Sequence, residues 1–194
     1  DLFIQKIATK DTIFVGFNNI RFDDEFIRRI LYRNFYDPYQ WHWQDGKSRW
    51  DLLDPIRMMR ALRPEGLHWP EIDGKPTVKL ELMAKANGID HTNAHDAMSD
   101  VEALVELAKR FKSSQAKLFS YLRDMRDKKS VAKLVTSHDP FVYTTGKYSS
   151  DYEKTTIVQR VFDHPDREAT IVYNLRENPT KWQNKTVDEL MQHW

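Results

Sequence analysis

The spacing of apolar residues changes period near residue 138, and that change restricts the fold more than any other feature of the chain. Upstream, "EFIRRILYRNF" sets Phe26, Ile27, Ile30 and Leu31 at helical steps. "NAHDAMSDVEALVELAKRF", residues 93–111, does the same with Ala97, Val101, Leu104, Ala108 and Phe111. Downstream, "FVYTTG", "TTIVQRVF" and "ATIVYNLR" are β-branched and aromatic runs separated by the turn-like "YSSDYEK" and "DHPDRE". An α/β part over residues 1–137 and a β-rich part over 138–194 are therefore expected.

Within the first part, "TIFV" at residues 12–15 reads as a buried strand ending at Gly16, with Asp23 or Asp24 capping the helix that follows. The aromatic stretch "YDPYQWHWQDGKSRW" reads as a loop. "DLLDPIRMMRAL" predicts a short strand and then a helix, with Asp54 at its cap and Pro55 at its first position. "VKLELMAKANGI" predicts a helix closed by Asn87 and Gly88, and "AKLFSYLRDMRDKKSVAKLV" a charged helical register. In "TVDELMQHW", Thr186 and Glu189 stand at capping-box spacing.

A chain of 194 residues with 40% hydrophobic content can bury a sizeable core. Thirty Lys and Arg against 29 Asp and Glu leave a net charge of +1, so any nucleic-acid binding must come from local clusters. The absence of cysteine excludes disulfides, thiolate metal sites and cysteine nucleophiles. No apolar run approaches a membrane span and the first residues lack the order of a signal peptide, so a cytoplasmic, non-membrane protein is expected.

Asp100 is the residue that raises a chemical question, because it lies among the apolar positions of the 93–111 helix. An ionised carboxylate there needs a cation, a set of donors, a metal, or the solvated first turn of a helix, where a negative charge suits the dipole. Asp23, at the end of a strand where α/β sheets gather their sites, reads on its own as a helix cap before it reads as a ligand. His95, five residues before Asp100, reads as a loop residue or a proton acceptor. Together the three change the balance. Two hard carboxylates suit Mg²⁺ or Mn²⁺, and a nearby histidine can take a proton from water, which is the equipment for metal-assisted phosphodiester hydrolysis.

"GFNNIRFDDEFIRRILYRNFYDPYQWHWQDGKSRWDLLD", "ALRPEG" and "KANGIDHTNAHDAMSD" resemble bacterial exonuclease I, a single-strand DNA exonuclease of the proofreading-type 3′-to-5′ superfamily. The resemblance implies a ribonuclease H-like sheet flanked by helices, followed by a small SH3-like β-barrel. It makes Asp23 the acid of the second exonuclease motif, His95 the general base and Asp100 the last metal-coordinating acid of a two-metal Mg²⁺ or Mn²⁺ site. The implied role is hydrolysis of single-stranded DNA in repair and recombination. The family's first motif, an Asp and a Glu one residue apart on the opening strand, has no counterpart before Asp23, where the only acids are Asp1 and Asp11. The chain is therefore expected to be an internal piece of such an enzyme, with its metal site weak or empty. A catalytically silent single-strand-binding fragment is the alternative.

Basic and aromatic residues interleave between Arg28 and Lys79, the pairing of phosphate-binding cations and stacking faces that a single strand requires. Partly on the resemblance, Arg28, Tyr39, Trp43, Arg57 and Arg63 are expected to contact the strand, and Lys79 to meet a phosphate as a point charge. Trp50 and Trp69 are expected in the core. The expected partner is single-stranded DNA, bound by a monomer, with a single-strand-binding protein contacted through regions outside these residues.

Overall fold

The computed structural model describes residues 2–90 and 97–192, which form two compact units. The first comprises residues 1–133 together with 144–155. In it β1 (Ile13–Gly16) and β2 (Ser48–Asp51) pair in parallel, with Val15 opposite Trp50. A parallel pair requires a crossover, and the segment between them supplies one through α1 (Asp23–Arg33). The strand β1 is not buried as its composition suggests: its residues alternate between exposed and half-buried, and Val15 is 50% exposed. Among the described residues β2 is its sole partner, so one edge and one face stay uncovered.

Neither Asp23 nor Asp24 caps α1, because the helix begins at Asp23 with Phe22 in the cap position. Likewise α2 (Leu53–Leu62) is not capped by Asp54. The Asp51 carboxylate instead accepts the Leu53 N–H at 3.0 Å, and Asp54 pairs with Arg57 at 2.7 Å. The short strand expected at the start of "DLLD" is β2, which reaches back into the aromatic stretch read as a loop; two 3₁₀ turns, Gln40–His42 and Gln44–Gly46, precede it. A two-residue-per-strand hairpin, β3 (Glu71–Ile72) and β4 (Lys75–Pro76), leads into α3 (Leu80–Ala86). Gly88, at φ +62°, follows Asn87 and ends α3, and the Ile89 N–H returns to the Ala84 carbonyl at 2.9 Å. The long α4 (Ala97–Ser114), then α5 (Ala116–Asp124) and α6 (Lys128–Thr136), continue the helical register.

The main core joins α2, α3 and α4 through the fully buried Ile56, Met59, Met83, Leu107 and Phe111, and α5 through the buried Phe119 and Leu122. Trp50 lies in this core with its ring 5.0 Å from that of Phe119, and Trp69 packs against it. The buried stripe of α4 is Ala103, Leu104, Leu107 and Phe111, so only Leu104 and Phe111 of the stripe read from spacing are fully inside. Ala97 and Val101 are exposed. A smaller cluster of Ala8, Leu31 and Trp41, with Phe3 and Phe14 around the Trp41 ring, fastens α1 to β1.

The second unit comprises residues 134–143 and 156–194. Its sheet has the order β5 (Phe141–Thr144), β6 (Thr155–Asp163), β7 (Thr170–Asn174), with β6 and β7 antiparallel. Val158 is fully buried, and the Thr156 hydroxyl donates to Asn174 Oδ1 at 2.8 Å. The capping box is formed at α7 (Val187–Met191): the Glu189 N–H donates to Thr186 Oγ1 at 3.3 Å and the Thr186 N–H to Glu189 Oε2 at 2.7 Å. Among the described residues no helix is long and apolar enough to cross a membrane.

Candidate active site

The turn between β1 and α1 is fixed from both sides by acids. At the end of β2, the Asp51 carboxylate accepts the Asn18 N–H at 2.8 Å and the Ile20 N–H at 3.4 Å in addition to that of Leu53. One side chain thus ties the turn after β1 to the start of α2. Asp24 is 1% exposed, paired with the Arg49 guanidinium, and lies 3.5 Å from Asn19 Nδ2. A buried carboxylate is tolerated when so paired. With Asp24 turned inward and its neighbour rotated by one helical step, Asp23 stays exposed at the start of α1.

Asp23 and Asp100 line the same cavity, whose volume is about 1300 Å³. Asp100 is half-buried on the face of α4 that carries the exposed Val101 and Val105, both also lining the cavity. Of the apolar neighbours that made Asp100 look misplaced in the sequence, the exposed Ala97 and Val101 therefore face this opening, whereas Phe111 lies in the core. Arg57 and Lys79 line it as expected. So do Arg21, Lys109, Lys112 and Lys154, which the sequence reading did not single out. Lys109 and Lys112 continue the Val101–Val105 row at steps of four and three, a spacing that would have revealed them once that row was known to be open.

The remaining expected contacts lie apart from the cavity lining. Arg28 bonds Glu25 and stacks over the Tyr39 ring at 5.3 Å to its centroid. Tyr39 and Trp43 are 57% and 59% exposed, and the Arg63 guanidinium donates to the Leu62 carbonyl at 2.6 Å. His95 lies outside the described residues. Glu153, on the cavity wall, is pushed above its ordinary range by burial, against the pull of Arg60 at 3.1 Å. Arg60 also donates to the Pro70 and Thr77 carbonyls at 2.9 and 3.0 Å, which fixes the segment leading to Lys79.

Among the described residues no group of three or more His, Asp or Glu is placed to hold a metal ion. Asp23 and Asp100, among the acids that line the cavity, are nevertheless hard oxygen donors, and their chemistry fits a divalent cation. A family model described as Exonuclease matches residues 4–108, more than half of the chain, and one described as Exonuclease I SH3-like domain matches residues 126–194. The chain belongs to the exonuclease family. This exonuclease-family chain has the mixed α/β fold of a ribonuclease H-like exonuclease part followed by an SH3-like part. It is 49% identical to exodeoxyribonuclease I of Escherichia coli strain K12 over 168 residues, which is 84% of this chain and 35% of that protein. It superposes on the crystal structure of E. coli exonuclease I in complex with a dA16 oligonucleotide with a TM-score of 0.89 at 44% identity, covering 95% of this chain and 40% of that one. The zinc-bound form of the E. coli complex with single-stranded DNA matches with a TM-score of 0.87 at 43% identity, with the same coverage of 95% and 40%. The chain thus spans 35–40% of the length of these relatives.

Proposed function

We propose that this chain carries catalytic acids and a strand-binding surface of a 3′-to-5′ exonuclease that hydrolyses single-stranded DNA to nucleotides. The supporting observation is that Asp23 and Asp100, distant in sequence, line one cavity together with the cations Arg57 and Lys79. Asp23 and Asp100 would hold Mg²⁺ or Mn²⁺ there; that the similar E. coli complex with single-stranded DNA has a zinc-bound form supports the use of a divalent ion. A bound divalent ion supplies positive charge to the reacting phosphate and lowers the pKa of water. His95 accepts the proton of the attacking water. Lys79 and Arg57 neutralise and orient the phosphate, while Tyr39 and Trp43 offer ring faces to unpaired bases, each stack worth about 1–3 kcal/mol. Duplex DNA keeps its bases inside the helix, so this surface favours a single strand. Arg28, stacked on Tyr39, holds that ring in place, and Arg63 adds a further phosphate contact.

We divide these roles near residue 138, with the exonuclease part before it and the SH3-like part after it. The setting is the cytoplasm, in DNA repair and recombination, as a monomer with a single-strand-binding protein as a partner. The test is the shortening of a 5′-labelled oligo(dT) strand by the intact enzyme that contains these residues, with Mg²⁺ or Mn²⁺. Asp23→Asn, Asp100→Asn and His95→Ala are each expected to slow it by about a hundredfold or more; digestion by His95→Ala at the parental rate would remove His95 from the assignment. A second reading, a catalytically silent single-strand binder, is favoured by the lack of a three-acid cluster among the described residues. For residues 1–194 alone it expects retained binding with no shortening even in Mn²⁺, and robust digestion by them would rule it out.

A further inference from the structure

On the wall of the cavity two guanidinium groups converge on a glycine. Gly146 lies in the 144–155 segment of the first unit. A Cβ placed on it would stand 3.3 Å from Arg57 Nη1, 3.8 Å from Arg57 Nη2 and 3.9 Å from Arg21 Nη1. Its φ lies outside the left-handed region, so the backbone would accept any residue. What a side chain would occupy is the space in front of the two cations.

The two arginines differ in their own partners. Arg57 is held by Asp54 at 2.7 Å on the same helix, one turn away, which uses one Nη1 hydrogen and leaves the rest of the fork. Arg21 is exposed, and no acid pairs with it among the described residues. Two cations within 4 Å of one point repel each other, and the three atoms nearest to that point are all guanidinium nitrogens. An anion there relieves the repulsion and meets two planar forks whose donors match the oxygens of a phosphate.

We propose that Arg21 and Arg57, separated by the bare face of Gly146, form a clamp for a backbone phosphate of the strand. This rests on the single-strand exonuclease reading above and adds to it a specific phosphate position and a glycine that keeps it open. The clamp fixes the register of the strand without reading its sequence. A Cβ at residue 146 would stand tighter than usual against Arg57 Nη1, so the tip of the fork would have to shift by a few tenths of an ångström, and larger side chains would fill the space in front of it.

Fluorescence anisotropy of labelled oligo(dT), without divalent ions and over a series of salt concentrations, tests it. Gly146→Ala is expected to weaken binding by about fivefold at low salt with an unchanged melting temperature. Arg21→Ala is expected to lower the slope of log affinity against log salt by about 1. The double variant is expected to lose little beyond Arg21→Ala alone, since both disable one clamp. Parental affinity in Gly146→Ala, or a parental salt slope in Arg21→Ala, would overturn the clamp while the exonuclease reading stands. If the unaltered chain does not bind oligo(dT), that reading fails and the clamp falls with it. Inorganic phosphate is the second arm: saturation at this clamp by millimolar phosphate, with strand affinity indifferent to both variants, would assign it to a free anion and overturn the strand assignment.

Discussion

Asp24 shows how one buried acid determines what its neighbour can do. It is enclosed and paired with Arg49, which leaves Asp23 at the cavity. Replacing Arg49 by Leu strands a carboxylate in the interior and is expected to lower stability by about 3 kcal/mol, measured by urea denaturation. Asp24→Leu together with Arg49→Leu is expected to recover much of that loss, because it removes both charges. His42 gives the pH dependence. Burial first, then Arg49 and Arg28, hold its imidazole below its ordinary value of 6.5. A folded pKa below the unfolded one means that the stability contribution is complete above about pH 6.5 and is lost as pH falls through the lowered value. The urea midpoint is therefore expected to drop between pH 7.5 and 5 by more in the parental chain than in His42→Gln. Adjacency in sequence could show that Asp23 and Asp24 point in different directions, but not which was inward, since the partner Arg49 comes from a distant strand.

At the level of elements, two helices close with the same backbone geometry and different chemistry. α3 ends at Gly88. α1 ends with Phe35 at φ +62° in the corresponding place, where the Tyr36 N–H reaches the Leu31 carbonyl at 3.0 Å. A left-handed conformation disfavours a side chain by about 1 kcal/mol, and Phe35 is 100% exposed, so it gains no burial in return. Gly88→Ala is expected to destabilise the chain by about 1 kcal/mol and Phe35→Gly to stabilise it by a similar amount, read as opposite shifts in melting temperature. The stop at Asn87–Gly88, the Thr186–Glu189 capping box and the three late strands were legible because each depends on a few adjacent residues. The caps of α1 and α2, the exposure of β1 and the true inward stripe of α4 were not, because Asp51, β2 and the open cavity decide them from far along the chain. For the candidate site, the residue types at 23, 57, 79 and 100 could be read, whereas Arg21, Lys109, Lys112 and Lys154 become visible only when the cavity is seen.

Across the whole molecule, burial is unevenly shared. The first unit holds the extended cluster around Ile56, Met59, Met83, Leu107 and Phe111, whereas Val158 is the fully buried apolar residue of the second among the described residues. Amide hydrogen exchange is accordingly expected to be slowest at Leu104 and Leu107 and faster throughout β7, and equal protection of the two would contradict this distribution. The path of the chain has its own consequence. Residues 144–155 pack with the first unit although both flanking segments, 134–143 and 156–194, belong to the second. A stop codon or recombination joint at residue 138 would therefore take Gly146, Glu153 and Lys154 from the unit they pack with, so that neither half could be inherited intact without the other.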